Sequence, residues 1–269
     1  MKATPLPRPR PCIVTALELL GVDDPEMPEG RARQVVSIVE RHLGDSELAR
    51  MYGSHLSLAA RRVLHIAPIK PAGMLPFWQA LNIVHLQSAL VPLGVLVCGA
   101  IALGDAVAHG GLVLGRGVSE AERLRDEVAH VPRVIVDPRL LRETEENADL
   151  RASHHSVMEE LGYIRKLLRA DADGLLFVDY LWAIRSEMDE PSLYLDFFKD
   201  HRRLVTRKLD AATVLDGASR AWIWMWSYHN VVFRELKRSW RLDDQELSEL
   251  RIPATSPLVY SFPPSAKAP

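Results

Sequence analysis

Apolar residues along the chain fall into short continuous runs separated by amphipathic stretches. Cys12–Leu20 is an apolar, β-compatible run that closes at Gly21. Asp23-Asp24-Pro25 carries turn chemistry. Arg31–Leu43 follows a helical period, with Val35, Ile38, Val39 and Leu43 on one stripe. Leu48–Leu58 and Arg62–Ile66 read as the strands of a hairpin, and Pro68–Pro76 as a loop. Leu75–Val91 fits a helix, and Gly94–Leu103, an unbroken apolar run with small residues, fits a fully buried strand. Asp105–Gly111 reads as a connection, Leu112–Leu114 as a short extended piece, Val118–Val128 as a helix and Arg133–Val136 as a strand stopped by Asp137-Pro138. The order is β-α-β-β-α-β-(β)-α-β. A hairpin amid alternating strands and helices predicts an α+β fold: a mixed sheet with packed helices, not a doubly wound parallel sheet.

Beyond Arg139 the pattern changes. Leu140–Leu168, Leu175–Arg185, Leu193–Leu209 and Ala218–Leu236 all have helical period, and the last is rich in aromatic residues. The expected organisation is a basic, Pro-rich leader over residues 1–11, an α/β domain over 12–140, a helical extension over 141–250, and a loosely ordered Pro- and Ser-rich tail over 251–269.

Composition narrows the function classes. The 269 residues carry a formal net charge of −2, so there is no basic excess to hold a nucleic-acid backbone. Two cysteines, Cys12 and Cys98, make neither a disulfide framework nor a zinc site, and a reducing cytoplasm is the expected home. No charged residue lies between Lys70 and Asp105, and Ala80–Gly104 approaches the ~20 apolar residues of a spanning helix. Asn82, His85, Gln87 and Ser88 interrupt it and Pro92-Leu93-Gly94 divides it, so the expectation is a buried helix followed by a central strand, with no membrane partner. Among isolated signals, Asp171-Ala-Asp-Gly174 lacks the ligand register of a calcium loop and reads as a turn. His154-His155 reads as a surface pair. Trp222-x-Trp-x-Trp226 with Tyr228-His229-Asn230 crowds rings onto one helix, as in a core or an interface.

One stretch carries more chemistry. Leu114-Gly-Arg-Gly-Val-Ser-Glu-Ala-Glu-Arg-Leu124 resembles the helix-opening signature of class III nucleotide cyclases, with Gly115, Val118, Ala121, Arg123 and Leu124 in place. Upstream, Gly99–Gly104 resembles the family's Gly-rich strand end, and Val131–Pro138 resembles a segment of bacterial cyclase-like proteins. The resemblance covers residues 12–140, about half the chain. It implies a ferredoxin-like mixed sheet and a head-to-tail homodimer with sites at the interface. It also implies a reaction in which a ribose 3′ oxygen attacks the α-phosphorus of a nucleoside triphosphate while two magnesium or manganese ions stabilise the charge.

Mapped on that resemblance, Glu18 stands at the first metal-binding carboxylate, where the family has Asp, although a strand-end Glu reaching solvent or a salt bridge is the favoured alternative. Arg50 stands at the base-recognising Lys, Ser54 at the second carboxylate and Ser119 at the ribose-orienting Asn. Arg123 stands at the phosphate-stabilising Arg, and Leu112 where a base-selecting polar residue sits. Gly115 would shape the nucleotide site or simply the strand-to-helix turn. Ser cannot supply a carboxylate's charge, and no Asp or Glu between Arg50 and Asp105 can replace it. The sequence therefore predicts a pseudoenzyme that binds a nucleotide or a protein partner, the latter through the aromatic C-terminal helices, in bacterial signalling or phage defence by analogy. An active cyclase is the alternative, and only then would a metal cofactor be needed.

Overall fold

The computed structural model describes residues 7–22, 28–44, 51, 53–71, 73–109, 112–211 and 217–253. Four strands build the first half: β1 (Arg10–Leu20), β2 (His55–Ala59), β3 (Arg62–Pro68) and β4 (Leu96–His109). They pair antiparallel in the order β2-β3-β1-β4, so β1 and β2 run parallel with β3 between them, the ferredoxin-like arrangement. The sheet continues through β6 (Val134–Val136), parallel to β4, and then β8 (Leu176–Val178) and β7 (Leu168–Ala170), both antiparallel to their neighbours. β5 (Leu112–Leu114) folds back on the end of β4. The result is a mixed sheet with packed helices followed by a helical C-terminal region.

Both faces of β1 are covered, which is why Cys12–Leu17 reads as one apolar run and not as an alternation. On one face lie α1 (Glu29–Val39), which runs on into a π turn at Glu40–Gly44, and α2 (Leu75–Leu90). There Gln79 answers the polar side chains of the strands: the Thr15 hydroxyl lies 3.4 Å and His65 Nδ1 3.2 Å from its Oε1. On the other lies α3 (Arg116–Glu127), whose Val118, Ala121 and Leu124 form the buried stripe. No helix among the described residues is long and apolar enough to cross a membrane; the apolar window is α2, a 3₁₀ turn at Pro92 and β4.

Several elements depart from the pattern reading. β4 runs on to His109 where a connection is expected, because Val107 and Leu114 pair across the β4–β5 hairpin. The expected helix over 140–168 is two, α4 (Pro138–Glu146) and α5 (Val157–Lys166), since Asp137 caps the first and a Ser156–Glu159 capping box starts the second. Leu175–Arg185 is not one helix: Leu176–Val178 joins the sheet and a short helix, α6, follows at Tyr180–Ala183. The reason is pairing, as Phe177 lies opposite Ile135 and Arg169. The Asp171–Gly174 segment is the turn between β7 and β8, with Gly174 at φ +82°.

α7 (Pro191–Ala211), α8 (Gly217–Ser239) and α9 (Asp244–Leu250) complete the chain. Two buried arginine networks join α8 to the sheet. Arg169 Nε meets Asp179 at 2.7 Å and its other nitrogens meet Glu235 at 2.7 and 2.8 Å, while the Tyr228 hydroxyl donates to Asp179 at 2.7 Å. Arg133 pairs with Asp171 and Asp173, and Trp224 Nε1 donates to Asp171 at 3.0 Å.

Candidate functional site

The helix-opening segment sits where two backbones nearly touch. Gly115 has φ +140°, and a Cβ there would lie 2.2 Å from the Asp105 carbonyl oxygen. Gly104 and Gly117 face each other so closely that a Cβ on either would come within 2.8 Å of the other's backbone. These contacts press the start of α3 onto β4 and leave an open groove of about 850 Å³ beside it. Pro11, Ile69 and Leu103 give the groove an apolar wall. Its polar side carries Arg116, Ser119, Glu120 and Arg123 of α3, with Arg139 and Glu143 of α4.

Arg123, Gly115 and Ser119 thus line one groove, and of the expected site residues Glu18 and Ser54 do not line it. Ser119 is exposed, and its hydroxyl donates back to the Gly115 carbonyl at 3.3 Å, the habit of Ser in a first helical turn. Arg123 is held by Glu120, Nε to Oε2 at 3.1 Å and Nη2 to Oε1 at 2.9 Å, and lies 3.6 Å from Glu127. Arg139 Nη2 reaches the same Glu120 oxygen at 3.2 Å while pairing with Asp137 at 2.7 Å. The Arg123 guanidinium holds the Glu120 carboxyl below the usual carboxylate range, and Asp137 holds Arg139 in its charged form. Arg116 has no ion pair or hydrogen bond among the described residues.

Glu18 is elsewhere. Cys12 opposes Gly104 at the groove end, whereas Glu18 opposes Cys98 six residues along, about 20 Å away at strand rise. Its carboxylate meets Arg61 Nε at 2.7 Å. Arg62 is its partner across to β3, and the charge of buried Arg125 acts on it from α3. Cys98 beside it is a neutral thiol, pushed up to about 12 by burial first of all. Ser54 lies just before β2, and its buried Oγ has no hydrogen-bond partner among the described residues. Arg50 lies outside the described residues. Leu112 is exposed on β5.

The donor set at Glu18 does not fit a pair of divalent ions. One carboxylate, already bonded to a guanidinium and faced by two more, offers neither the charge nor the free oxygens that hard cations demand. Among the described residues no group of three His, Cys, Asp or Glu is placed to hold a metal ion.

Sequence reasoning singled out Arg123 and missed the residues that surround it. The Glu120–Arg123 spacing of three is a helix-face pair legible in the sequence. Arg139 is not legible, because only the packing of α4 brings it to α3.

No family model matches the chain, and no curated protein matches it. Solved structures do. The guanylyl cyclase Cya2 is 14% identical, with 51% of this chain and 79% of that one covered at a TM-score of 0.35. The monomeric guanylyl cyclase domain of the RhoGC fusion protein from the aquatic fungus Blastocladiella emersonii is 8% identical over 65% and 96%, at 0.37. A bacterial light-regulated adenylyl cyclase is 12% identical over 61% and 58%, at 0.36. These three solved structures are of guanylyl or adenylyl cyclases.

Proposed function

We propose that this chain is a cyclase-like domain that has lost metal-dependent cyclisation and acts by holding a nucleotide in the groove beside α3, as a homodimer. The observation that carries the reading is the state of Glu18. A carboxylate bonded to Arg61, with Arg62 opposite it in the strand register and the charge of Arg125 acting on it, serves as a salt-bridge partner and not as half of a two-metal site. The neutral Ser54 and Ser119 point the same way, since neither supplies charge to a metal. Arg123 and Arg139 give the groove two guanidiniums suited to phosphate oxygens, and the apolar wall gives room for a base or sugar.

A second reading is of an active cyclase. It keeps Glu18 and Arg123 in their roles and takes the missing acid from the partner subunit of a head-to-tail dimer. A protein partner has a narrower opening than the sequence suggests. Trp224 and Tyr228 are buried, and the half-buried Trp222 and Trp226 are what α8 has left to offer.

The test is direct. Purified protein is incubated with each nucleoside triphosphate and manganese, and cyclic product is sought alongside calorimetric titration. Nucleotide binding without product, lost in Arg123→Ala, supports the proposal. Product that disappears in Glu18→Ala and in Arg123→Ala would establish the active cyclase instead.

A further inference from the structure

We infer that Glu120 is a built-in competitor for anions: its carboxylate occupies the fork of Arg123 and pairs with the Asp137-bound guanidinium of Arg139, where a phosphate would otherwise sit. This rests on the reading of the groove as a nucleotide site and names what decides which anion enters it.

Both oxygens of Glu120 are in use. Oε2 takes Arg123 Nε and Oε1 takes Nη2 of the same fork, so the pair is bidentate. Oε1 also lies 3.2 Å from Arg139 Nη2, which comes from a different helix and donates to Asp137 at 2.7 Å. An ordinary helix-face pair at a spacing of three does not recruit a second arginine from across a groove. A phosphate offers a guanidinium the same two-oxygen edge as a carboxylate, so the position Glu120 fills is one a phosphate can fill.

Displacement is cheap. Glu120 is about a quarter exposed, Arg123 and Arg139 nearly half, and ion pairs so wetted contribute little. Each arginine also keeps a second acid when Glu120 swings away: Glu127 for Arg123 and Asp137 for Arg139. Arg116, with no ion pair among the described residues, lines the same wall. A singly charged anion brings no more charge than the carboxylate it must replace. Pyrophosphate or a nucleoside triphosphate brings several charges and wins. Glu120 therefore sets a threshold of charge for entry, and the ligand class is the polyphosphates.

Glu120→Gln keeps the size of the side chain and removes its charge. Calorimetric titration with inorganic pyrophosphate and with GTP compares wild type, Glu120→Gln, Glu120→Ala, and Glu122→Gln. The last loses the same charge on the same helix, where Glu122 touches Arg125 at 3.7 Å and not the groove. Glu120→Gln is expected to bind pyrophosphate roughly tenfold tighter than wild type, the gain of releasing two weak ion pairs. Glu120→Ala should follow it, Glu122→Gln should not, and adding Arg139→Gln to Glu120→Gln should cancel the gain. Equal or weaker binding by Glu120→Gln, or an equal gain in Glu122→Gln, overturns the inference while wild-type nucleotide binding leaves the proposed function standing. Binding by Glu120→Gln alone supports the inference and removes nucleotide binding from the native protein. No binding by any variant overturns both.

Discussion

The C-terminal helices contain a hydrogen-bonded chain whose polarity can be worked out atom by atom. His229 Nε2 lies 2.7 Å from the Leu250 carbonyl, so it must carry the proton. Its Nδ1 is then a lone pair, and His201 Nδ1, 2.9 Å away, must donate to it. His201 Nε2 is left to accept from the Tyr180 hydroxyl at 2.8 Å. Both rings are fully buried and both are neutral, since burial disfavours the charge and a second proton on His229 would face the His201 N–H. Burial lowers His229 to about 3 and His201 well below its ordinary value. The sign follows. Unfolded histidines take up protons near pH 6.5 while the folded ones do not, so stability is complete above that pH and falls as pH drops towards the folded values. Two protons bound only by the unfolded chain give a slope of about 2.5 kcal/mol per pH unit between pH 6 and 5. Against a stability of about 5–15 kcal/mol, that is a large fraction per unit. Urea unfolding followed by tryptophan fluorescence from pH 7.5 to 5, above most carboxylate titration, reads it directly. The double variant His201→Gln, His229→Gln should be less stable at pH 7.5 and lose about half or more of the slope. A wild-type midpoint that stays flat over this range, or a double variant that falls as steeply, refutes the assignment of neutral rings.

Four further outcomes follow from the packing. Gly115→Ala places a methyl group against the Asp105 carbonyl at a left-handed φ and should cost about 2 kcal/mol or more in chemical denaturation. Arg169→Met strands the carboxylates of Asp179 and Glu235 and should cost about 3–5 kcal/mol, with part returned by adding Asp179→Asn. Glu18→Gln removes an ion pair with half-exposed Arg61, so its melting temperature should shift by a degree or two, and manganese should stabilise neither it nor wild type in a thermal-shift assay. A chain ended at residue 140 leaves β6 as an open, wholly apolar edge and should aggregate or stay unfolded by circular dichroism, because Phe177 and α8 are what cover it.

The order of strands and helices through residue 140 was legible because most elements there have one dominant period, although the ends of β4 and of the β2 strand, expected at Leu103 and at Leu48, were not. Leu75–Val91 and Val118–Val128 lie within a residue or two of α2 and α3 at nearly every end. The hairpin β7–β8 was not legible. Three-residue strands carry no period, and Leu168–Ala170 and Leu176–Val178 sit inside longer amphipathic stretches whose spacing suits a helix. The groove was half legible. Gly115 and Arg123 were singled out by the resemblance of Leu114–Leu124 to the cyclase helix-opening signature. Arg139 lies sixteen residues further on and depends on how α4 folds back, which no local pattern encodes. Glu18 shows the limit from the other side. Its place mid-strand marked it as partnered, but whether the partner was a metal or an arginine depended on Arg61, Arg62 and Arg125 arriving from two other elements.

Exposure then decides which of these charges can take part in function. Arg133 and Arg169 have side chains less than a tenth exposed, and each is closed by two acids and a ring from α8 or its surroundings. Opening either network would strand buried charge, so they fix the helices to the sheet and admit no ligand. The aromatic and histidine cluster around Trp224, Tyr228 and His229 is sealed in the same way, although its composition is the more conspicuous in the sequence. The arginines beside α3 make the same kinds of bond, but water reaches them, so the bonds can exchange. Chemistry that must come and go belongs where the ion pairs are weak. That is the ground on which we propose ligand recognition at Glu120, Arg123 and Arg139, where α3 and α4 meet.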